Sequence, residues 1–364
     1  MFKNLRNVVK MFIHESVHGP NFKKEIKIIN ARNEFLTVMQ KLKSIGGNGV
    51  VIPNGNSEPK GTFLPNEKEI PMALLIIEKN LSVPMDNLSN VEIDDIGQYF
   101  ALQGMYDKAV EYWSLSSGKG SITGEYALAL CTKDGLGVAK DFDKALTTFF
   151  KLADKKNHPF SHYTIGTIFK EGKAKDSGAV DADSVLSFKY FVSAAKFGMV
   201  PAMYDVGNCY AYGDGVEKND GNAAAYYEGA AAQGHPHSKF TIATWNYQGR
   251  HYSKDTKKSF EMYLELAEKN NHNLAQHNLA CQYLTGNGTD QNLDQALAWF
   301  EKAASKGNCE SMINAAQLYL KKDSARLETI KRALEIMKAG IQRGHQGCID
   351  FSNELTIELH TIKQ

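Results

Sequence analysis

Five residues near the start of the 364-residue chain have the types and spacing found in zinc peptidases. His14-Glu15-Ser16-Val17-His18 fits the pattern H-E-x-x-H, in which two histidines one helical turn apart bind zinc and the glutamate activates the metal-bound water. A catalytic zinc site also needs a third protein ligand, and the nearest acidic residue, Glu34, fits no zinc-peptidase spacing. Gly19-Pro20 would end the helix directly after the second histidine. We therefore expect no enzyme activity, bound metal or cofactor, and retain a zinc-dependent hydrolase as the alternative.

The composition excludes several classes of protein. Lys and Arg (42) balance Asp and Glu (41), so no basic field favours a nucleic-acid partner. The five cysteines are far apart without a C-x-x-C pair, which suggests neither a disulfide framework nor a zinc finger and fits a reducing compartment. No apolar run approaches the roughly 18 to 20 residues of a membrane span, and no secretory signal is apparent. We expect a cytoplasmic protein, or a secreted effector without a cleavable signal peptide.

From about residue 91 onward, one sequence unit recurs along the chain. The helices of this unit must carry any function of this region. Small residues that would let two helices cross closely, termed crossing residues, recur at spacings of 37, 41, 36, 37 and 36: Ala129, Gly166, Gly207, Ala243, Ala280 and Ala316. A glycine follows five of them by six residues, where a helix ending in a left-handed residue would have one. A second helix with apolar residues at i, i+3, i+4 and i+7 comes next. Each unit is thus predicted to be a hairpin of a first and a second helix, and such hairpins must stack to bury their apolar faces.

Four histidines lie close to the glycine or asparagine that ends a second helix: His158, His235, His272 and His345. At a helix C-terminus, a partly protonated imidazole would interact favourably with the negative end of the helix dipole. We interpret these residues as helix-ending side chains rather than as metal ligands.

The units resemble Sel-one-like repeats, the longer relatives of tetratricopeptide repeats. The resemblance is carried by AMYDVGNCYAYGDGVEKNDGNAAAYYEGAAAQGH and AQHNLACQYLTGNGTDQNLDQALAWFEKAASKGN, with the glycine-rich loop and the closing A-A-x-x-G. It implies an all-α fold, a right-handed α/α superhelical solenoid of helical hairpins. Residues 91–350 are predicted to form the solenoid, 1–90 a helical or irregular capping region, and 351–364 a helical tail. The stretch EGKAKDSGAVDAD departs from the pattern as a loop insertion.

In such a solenoid the first helices line a groove. Positions three before, one after and four after each crossing residue form one stripe of a helix. We predict partner contacts along this inner stripe, at Tyr163, Thr167, Lys170, Tyr204, Asn208, Phe240, Thr244, Tyr247 and His277. Aromatic residues among hydrogen-bonding ones suit a peptide, although an aromatic residue three before the crossing also suits packing between repeats. The predicted function is a non-catalytic scaffold or adaptor that binds a protein or peptide, and the resemblance implies roles that include a bacterial effector or regulator.

Overall fold

A computed structural model describes residues 88–102, 104–175, 178–180, 182–322 and 326–363. Fifteen α-helices follow one another in this part of the chain. They are α1 (Asn90–Leu102), α2 (Tyr106–Gly118), α3 (Ile122–Asp134), α4 (Phe142–Lys156), α5 (Pro159–Glu171), α6 (Ser184–Lys196), α7 (Val200–Tyr212), α8 (Asp220–Ala232), α9 (Pro236–Gln248), α10 (Thr256–Lys269), α11 (Asn273–Thr285), α12 (Leu293–Ser305), α13 (Cys309–Lys322), α14 (Arg326–Gln342) and α15 (Gln346–Lys363). The odd-numbered helices are the predicted first helices, and the even-numbered ones are the second helices.

The chain divides into two compact units. Unit 1 extends to Ala202 and includes Asp214–Val216, whereas unit 2 comprises Met203–Gly213 and Glu217–Gln364. Within each unit, helices that are neighbours in the chain pack against one another. This pattern of neighbour contacts is the one expected for stacked hairpins.

The crossing residues lie where the sequence places them, and each of the two crossing glycines faces a buried ring on the second helix. A Cβ atom at Gly207 would lie 2.6 Å from the Tyr227 ring, and one at Gly166 would lie 2.7 Å from the Phe191 ring. Both rings are at most 1% exposed. The close approach of helix and ring thus depends on the absence of a side chain, and the predicted crossing is confirmed.

Helix ends follow capping chemistry that repeats along the chain. The predicted turn glycines have positive φ: Gly135, Gly172, Gly213, Gly249 and Gly286. Five second helices begin after an Asp or Asn whose side chain accepts the backbone N–H three residues later: Asp141, Asp183, Asn219, Asp255 and Asn292. Such N-caps satisfy a donor that would otherwise have no partner in the helix.

The insertion between α5 and α6 forms a short β-hairpin. Strand β1 (Lys173–Lys175) pairs antiparallel with β2 (Gly178–Val180), with Ala174 opposite Ala179. The sequence predicts a loop here, so the hairpin adds local structure to a fold that is otherwise helical over the described residues.

The predicted domain boundaries stay predictions. Most of the capping region 1–90 lies outside the described residues, and α15 runs across residue 350. None of the described helices is long and apolar enough to cross a membrane.

Candidate partner-binding surface

The first helices of unit 2 lie side by side and contact one another directly. The Tyr204 ring of α7 lies 6.1 Å from the His237 ring of α9, and the Phe240 ring of α9 stacks on His272, which precedes α11, at 5.0 Å. Between α11 and α13, His277 Nδ1 and Ser311 Oγ are 2.8 Å apart. Side chains from successive repeats therefore share one surface in this unit.

The stripe positions three residues before the crossing pack on the second helix of the same hairpin. The rings of Tyr204 and Tyr227 are 5.7 Å apart, and those of Phe240 and Tyr263 are 5.6 Å apart. The same relation holds at 5.6 Å for His277 on Phe300 and, in unit 1, at 5.5 Å for Tyr163 on Phe191. All four stripe side chains remain partly exposed. These side chains therefore pack within their own hairpin, and the partner contact expected from the sequence stays a prediction.

The positions one residue after the crossing hold the second helix by hydrogen bonds. Tyr227 Oη donates to Asn208 Oδ1 at 2.8 Å, and Thr244 Oγ1 lies 2.8 Å from Tyr263 Oη. Burial raises the pKa of both tyrosines, which stay neutral hydroxyls. In unit 1, Thr167 instead donates to a carbonyl of its own helix. The polar stripe residues of unit 2 are thus fixed in place by buried partners.

The positions four residues after the crossing are less constrained. Lys170 is exposed, with its ammonium 5.7 Å from the centroid of the Phe191 ring. Tyr247 is half-buried, and its hydroxyl accepts a long hydrogen bond of 3.4 Å from Asn287. Tyr247 therefore presents a phenol at the surface, and a partner that bonded to this hydroxyl would replace a long and weak hydrogen bond.

The interpretation of the histidines as C-terminal cations was wrong. His235 and His272 are instead the N-caps of α9 and α11, and their Nδ1 atoms accept backbone N–H groups of Ser238 and Ala275 at 3.2 Å. Only a neutral imidazole can accept in this way. Burial lowers the pKa of each to about 4, which keeps the acceptor form at neutral pH.

The other two histidines hold the same position. His158 precedes α5, with Nδ1 2.9 Å from Ser161 Oγ, and burial lowers its pKa to about 4. His345 precedes α15 and accepts the Cys348 N–H at 3.3 Å. The four residues therefore begin first helices, because the end of one helix and the start of the next are only a few residues apart.

These caps add a row of rings to the surface of unit 2 that the stripe alone did not predict. The rings of Tyr204 and His235 are 4.9 Å apart, those of His235 and His237 are 5.7 Å apart, and His237 Nδ1 lies 3.3 Å from His272 Nε2. The sequence signal was a histidine eight residues before a crossing residue. Together with the inner stripe of unit 2, this row forms the candidate surface: Tyr204, Asn208, His235, His237, Phe240, Thr244, Tyr247, His272 and His277.

The candidate surface lies on helices that carry almost no formal charge. Among the acidic and basic residues other than histidine, α7, α9 and α11 contain only Asp205 and Lys239. Asp205 is buried, and Lys239 is paired with Glu265 of α10. The second helices are different, since α10 alone contains three lysines and three glutamates. The helices that carry the candidate surface therefore contribute little formal charge to it, although Lys306 and Glu310 of neighbouring segments act on His272 and His277.

The repeats match a known family. A family model for the Sel1 repeat matches residues 122–154, 162–196, 200–235, 242–271 and 273–308. The chain is a Sel1 repeat protein. The five matched Sel1 repeats run from the start of α3 to the loop after α12, and they include every residue of the predicted inner stripe except Phe240, which lies between two matched ranges.

Two curated relatives of this Sel1 repeat protein are regulators. Over 233 residues it is 25% identical to the chitin synthase regulator SKT5 of Saccharomyces cerevisiae, a match that covers 51% of this chain and 32% of the relative. Over 172 residues it is 30% identical to an exopolysaccharide production negative regulator of Rhizobium meliloti, covering 43% of this chain and 60% of the relative. The chain thus spans less than two thirds of either relative.

Solved structures share the fold. A protective antigen of uropathogenic Escherichia coli with an SLR fold, c5321, superposes with a TM-score of 0.63 at 22% identity and covers 78% of this chain and 59% of its own. A Sel1 repeat protein from Oxalobacter formigenes gives a TM-score of 0.58 at 22% identity, with coverages of 69% and 97%. The predicted class, an all-α solenoid of helical hairpins, is confirmed.

The H-E-x-x-H residues, His14 to His18, lie outside the described part of the chain. The zinc-dependent hydrolase therefore stays an untested alternative. The Sel1 repeats and the regulator relatives favour a role without catalysis.

Proposed function

We propose that this Sel1 repeat protein is a non-catalytic scaffold that binds an uncharged segment of a partner protein along the candidate surface of unit 2. The observation that carries the proposal is a row of partly exposed aromatic and hydrogen-bonding side chains on first helices with almost no charge. Aromatic and polar side chains of this kind dominate the centres of protein interfaces, where charged residues are depleted.

The fixed side chains favour binding by lowering its entropic cost. Asn208 and Thr244 are held by Tyr227 and Tyr263, so a partner would meet groups that are already ordered. Preorganisation of this kind raises affinity, because each rotamer-rich side chain ordered on binding otherwise costs about 0.5 to 1.5 kcal/mol. While Asn208 Oδ1 accepts from Tyr227, the amide nitrogen is the group that would donate to a partner.

The curated relatives support a regulatory role for the scaffold. Both names describe control of another activity, chitin synthase in yeast and exopolysaccharide production in the bacterium. A Sel1 repeat array that binds a partner segment provides a physical basis for such control. By the same reasoning, a bacterial regulator or effector is the finer role that we propose.

A peptide selection tests the proposal and does not require the partner protein itself. A phage-displayed library of random peptides is selected on the full chain, and the affinities of synthetic versions are measured by fluorescence anisotropy. The selected peptides should be poor in charge and rich in aromatic and amide residues. Their affinity should change little with added salt, because screening acts on exposed charge pairs.

Tyr247→Ala should weaken the selected peptides roughly thirty-fold, since a tyrosine hot spot contributes about 2 kcal/mol. Tyr212→Ala is the matched control, because Tyr212 is a tyrosine of the same unit that is 70% exposed and lies outside the stripe. A strongly charged consensus with a steep salt dependence, or equal affinity for the Tyr247 and wild-type proteins, would refute the assignment of the surface.

A further inference from the structure

Three potential metal ligands meet in unit 2, away from the inner stripe. Cys309 is the first residue of α13, His345 directly precedes α15, and Cys348 lies in the first turn of α15. The two sulfur atoms and an imidazole nitrogen all lie within 4.8 Å of one another. Cys309 and His345 are one repeat length apart, so the stacking of successive first helices brings their N-terminal ends together.

We propose that Cys309, His345 and Cys348 bind a zinc ion. Zinc prefers thiolate and imidazole ligands at about 2.3 and 2.0 to 2.1 Å, so ligand atoms around one ion are separated by somewhat less than 4 Å. The observed separations extend to 4.8 Å, so binding requires the ligand atoms to move closer together by up to about 1 Å. Three protein ligands leave one tetrahedral position for water or for a residue of a partner, as in zinc sites with open coordination.

The two cysteines also belong to the hydrophobic cluster of α13 to α15, Cys348 as a buried member and Cys309 as a partly buried one. Cys348 is fully buried, and its sulfur fills the space next to Gly340, where a Cβ atom would lie 2.5 Å from it. Cys309 and His345 are half-buried, so solvent reaches the cluster from their side. Cys309 packs beside Cys348 and His345 caps α15, and zinc binding would add one common reason for all three ligand atoms to meet.

The surroundings act on the thiols in two directions. Burial raises the pKa of the Cys348 thiol to about 11, so zinc has to displace its proton on binding. The N-terminal ends of α13 and α15 both face this region, and the positive end of a helix dipole stabilises a nearby thiolate. The Arg343 guanidinium lies close by, with Nη1 3.0 Å from the Gly307 carbonyl oxygen that it binds. Two thiolates and a neutral imidazole around Zn²⁺ give no net charge, so the ion adds no uncompensated charge to a half-buried site.

The cap made by His345 does not prevent coordination. Its Nδ1 atom accepts the Cys348 N–H at 3.3 Å, beyond the usual range for this bond. Coordination through Nδ1 would replace this long hydrogen bond with a metal bond. The bond from the Cys348 thiol to the Cys309 carbonyl oxygen, at 3.9 Å, is equally weak.

Zinc titration of the reduced full-length chain against a chromophoric chelator tests the proposal. We expect one zinc ion held by the cluster, and thiolate charge-transfer absorption when Co²⁺ replaces zinc. His345→Asn keeps an N-cap acceptor, as Asn308 does for α13 with a 2.8 Å bond to Ser311 N, but removes the ligand. Loss of a direct ligand should weaken zinc binding by more than the 10 to 100-fold typical of outer-shell partners. Cys309→Ser should act similarly.

Two controls separate this site from other sources of zinc binding. Cys281→Ser removes the sulfur 3.6 Å from His277 Nε2, a pair without a third ligand among the described residues, and should leave affinity unchanged. The double variant His14→Ala, His18→Ala should also retain the ion. Wild-type protein that takes up no zinc, zinc that is lost with the N-terminal histidines, or a His345→Asn variant that is folded by circular dichroism and binds zinc normally would each overturn the proposal.

Discussion

Two glycines within helices of unit 2 allow the crossing to be tested by one matched pair of substitutions. Gly207 lies in α7 against the Tyr227 ring, whereas an added Cβ at Gly229 of α8 would meet only the Met203 sulfur, at 4.0 Å. Replacing either glycine by alanine favours the helix by about 1 kcal/mol. At Gly207 the new methyl group also overlaps the Tyr227 ring, which is 1% exposed and closely surrounded. Such overpacking typically costs about 1 to 3 kcal/mol.

The helix propensity term is common to both variants and cancels, so the difference between them isolates the crossing. Gly229→Ala should be more stable than wild type by about 1 kcal/mol, and Gly207→Ala should be less stable than Gly229→Ala by about 1 to 3 kcal/mol. Urea unfolding followed by far-ultraviolet circular dichroism measures both, compared by transition midpoint at equal slope. Equal midpoints would refute the close crossing. A Gly207→Ala, Tyr227→Leu variant should recover part of the loss, because leucine lacks the ring edge.

Two further predictions concern buried polar groups. Asn208→Ala should destabilise the fold by about 1 to 3 kcal/mol because the Tyr227 hydroxyl loses its acceptor, and Asn208→Ala combined with Tyr227→Phe should recover most of this loss in urea unfolding. Stability should also fall as the pH is lowered from 6.5 toward 4, because the unfolded chain protonates His158, His235 and His272 near the ordinary pKa while burial holds their folded pKa at about 4. In thermal unfolding between pH 6.5 and 4, the midpoint temperature of the double variant His235→Asn, His272→Asn should depend less steeply on pH than that of the wild type. Equal slopes for the two proteins would contradict the assigned caps.

The periodic features could be predicted from sequence because each depends on one residue type at one position. Small crossing residues and turn glycines recur at a fixed spacing, and the structure places Gly207 and Gly249 in the predicted roles. The inner stripe likewise follows from helical geometry once the crossing is known. What could not be predicted is whether stripe residues also support the interior, since the Tyr227 hydroxyl that binds Asn208 comes from another helix.

The histidines show a different limit. A residue between two helices a few positions apart can end one or begin the next, and the two roles ask for opposite protonation states. In two repeats the deciding signal was local: Ser161 and Ser238 follow their histidines by three residues, as in a capping motif. For the Cys309 and His345 cluster the signal was the repeat length itself, because residues one period apart become neighbours when hairpins stack.

Buried small residues also recur in pairs along the repeats, one on each of two neighbouring helices. Along the array, a buried small residue of each second helix is followed eight positions later by a buried small residue of the next first helix: Ser116 and Gly124, Ala153 and Ser161, Ala194 and Ala202, Ala230 and Ser238, Ala267 and Ala275, Ala303 and Ser311, Gly340 and Cys348. A Cβ on Gly124 or Gly340 would collide with Ser116 or Cys348, so in these two pairs the glycine makes room for its partner.

In these two pairs a larger residue is matched by a glycine on the neighbouring helix, as close packing requires. A cysteine therefore fits at position 348 of the stack, because Gly340 has no side chain and leaves space for the sulfur atom. A side chain that binds metal can therefore occupy a buried repeat position at little cost in packing. The aromatic stripe residues are only partly buried, so close packing constrains them less than it constrains these buried pairs. In this chain, paired volumes between neighbouring helices thus help to maintain the stack, as the Gly124 and Gly340 pairs show.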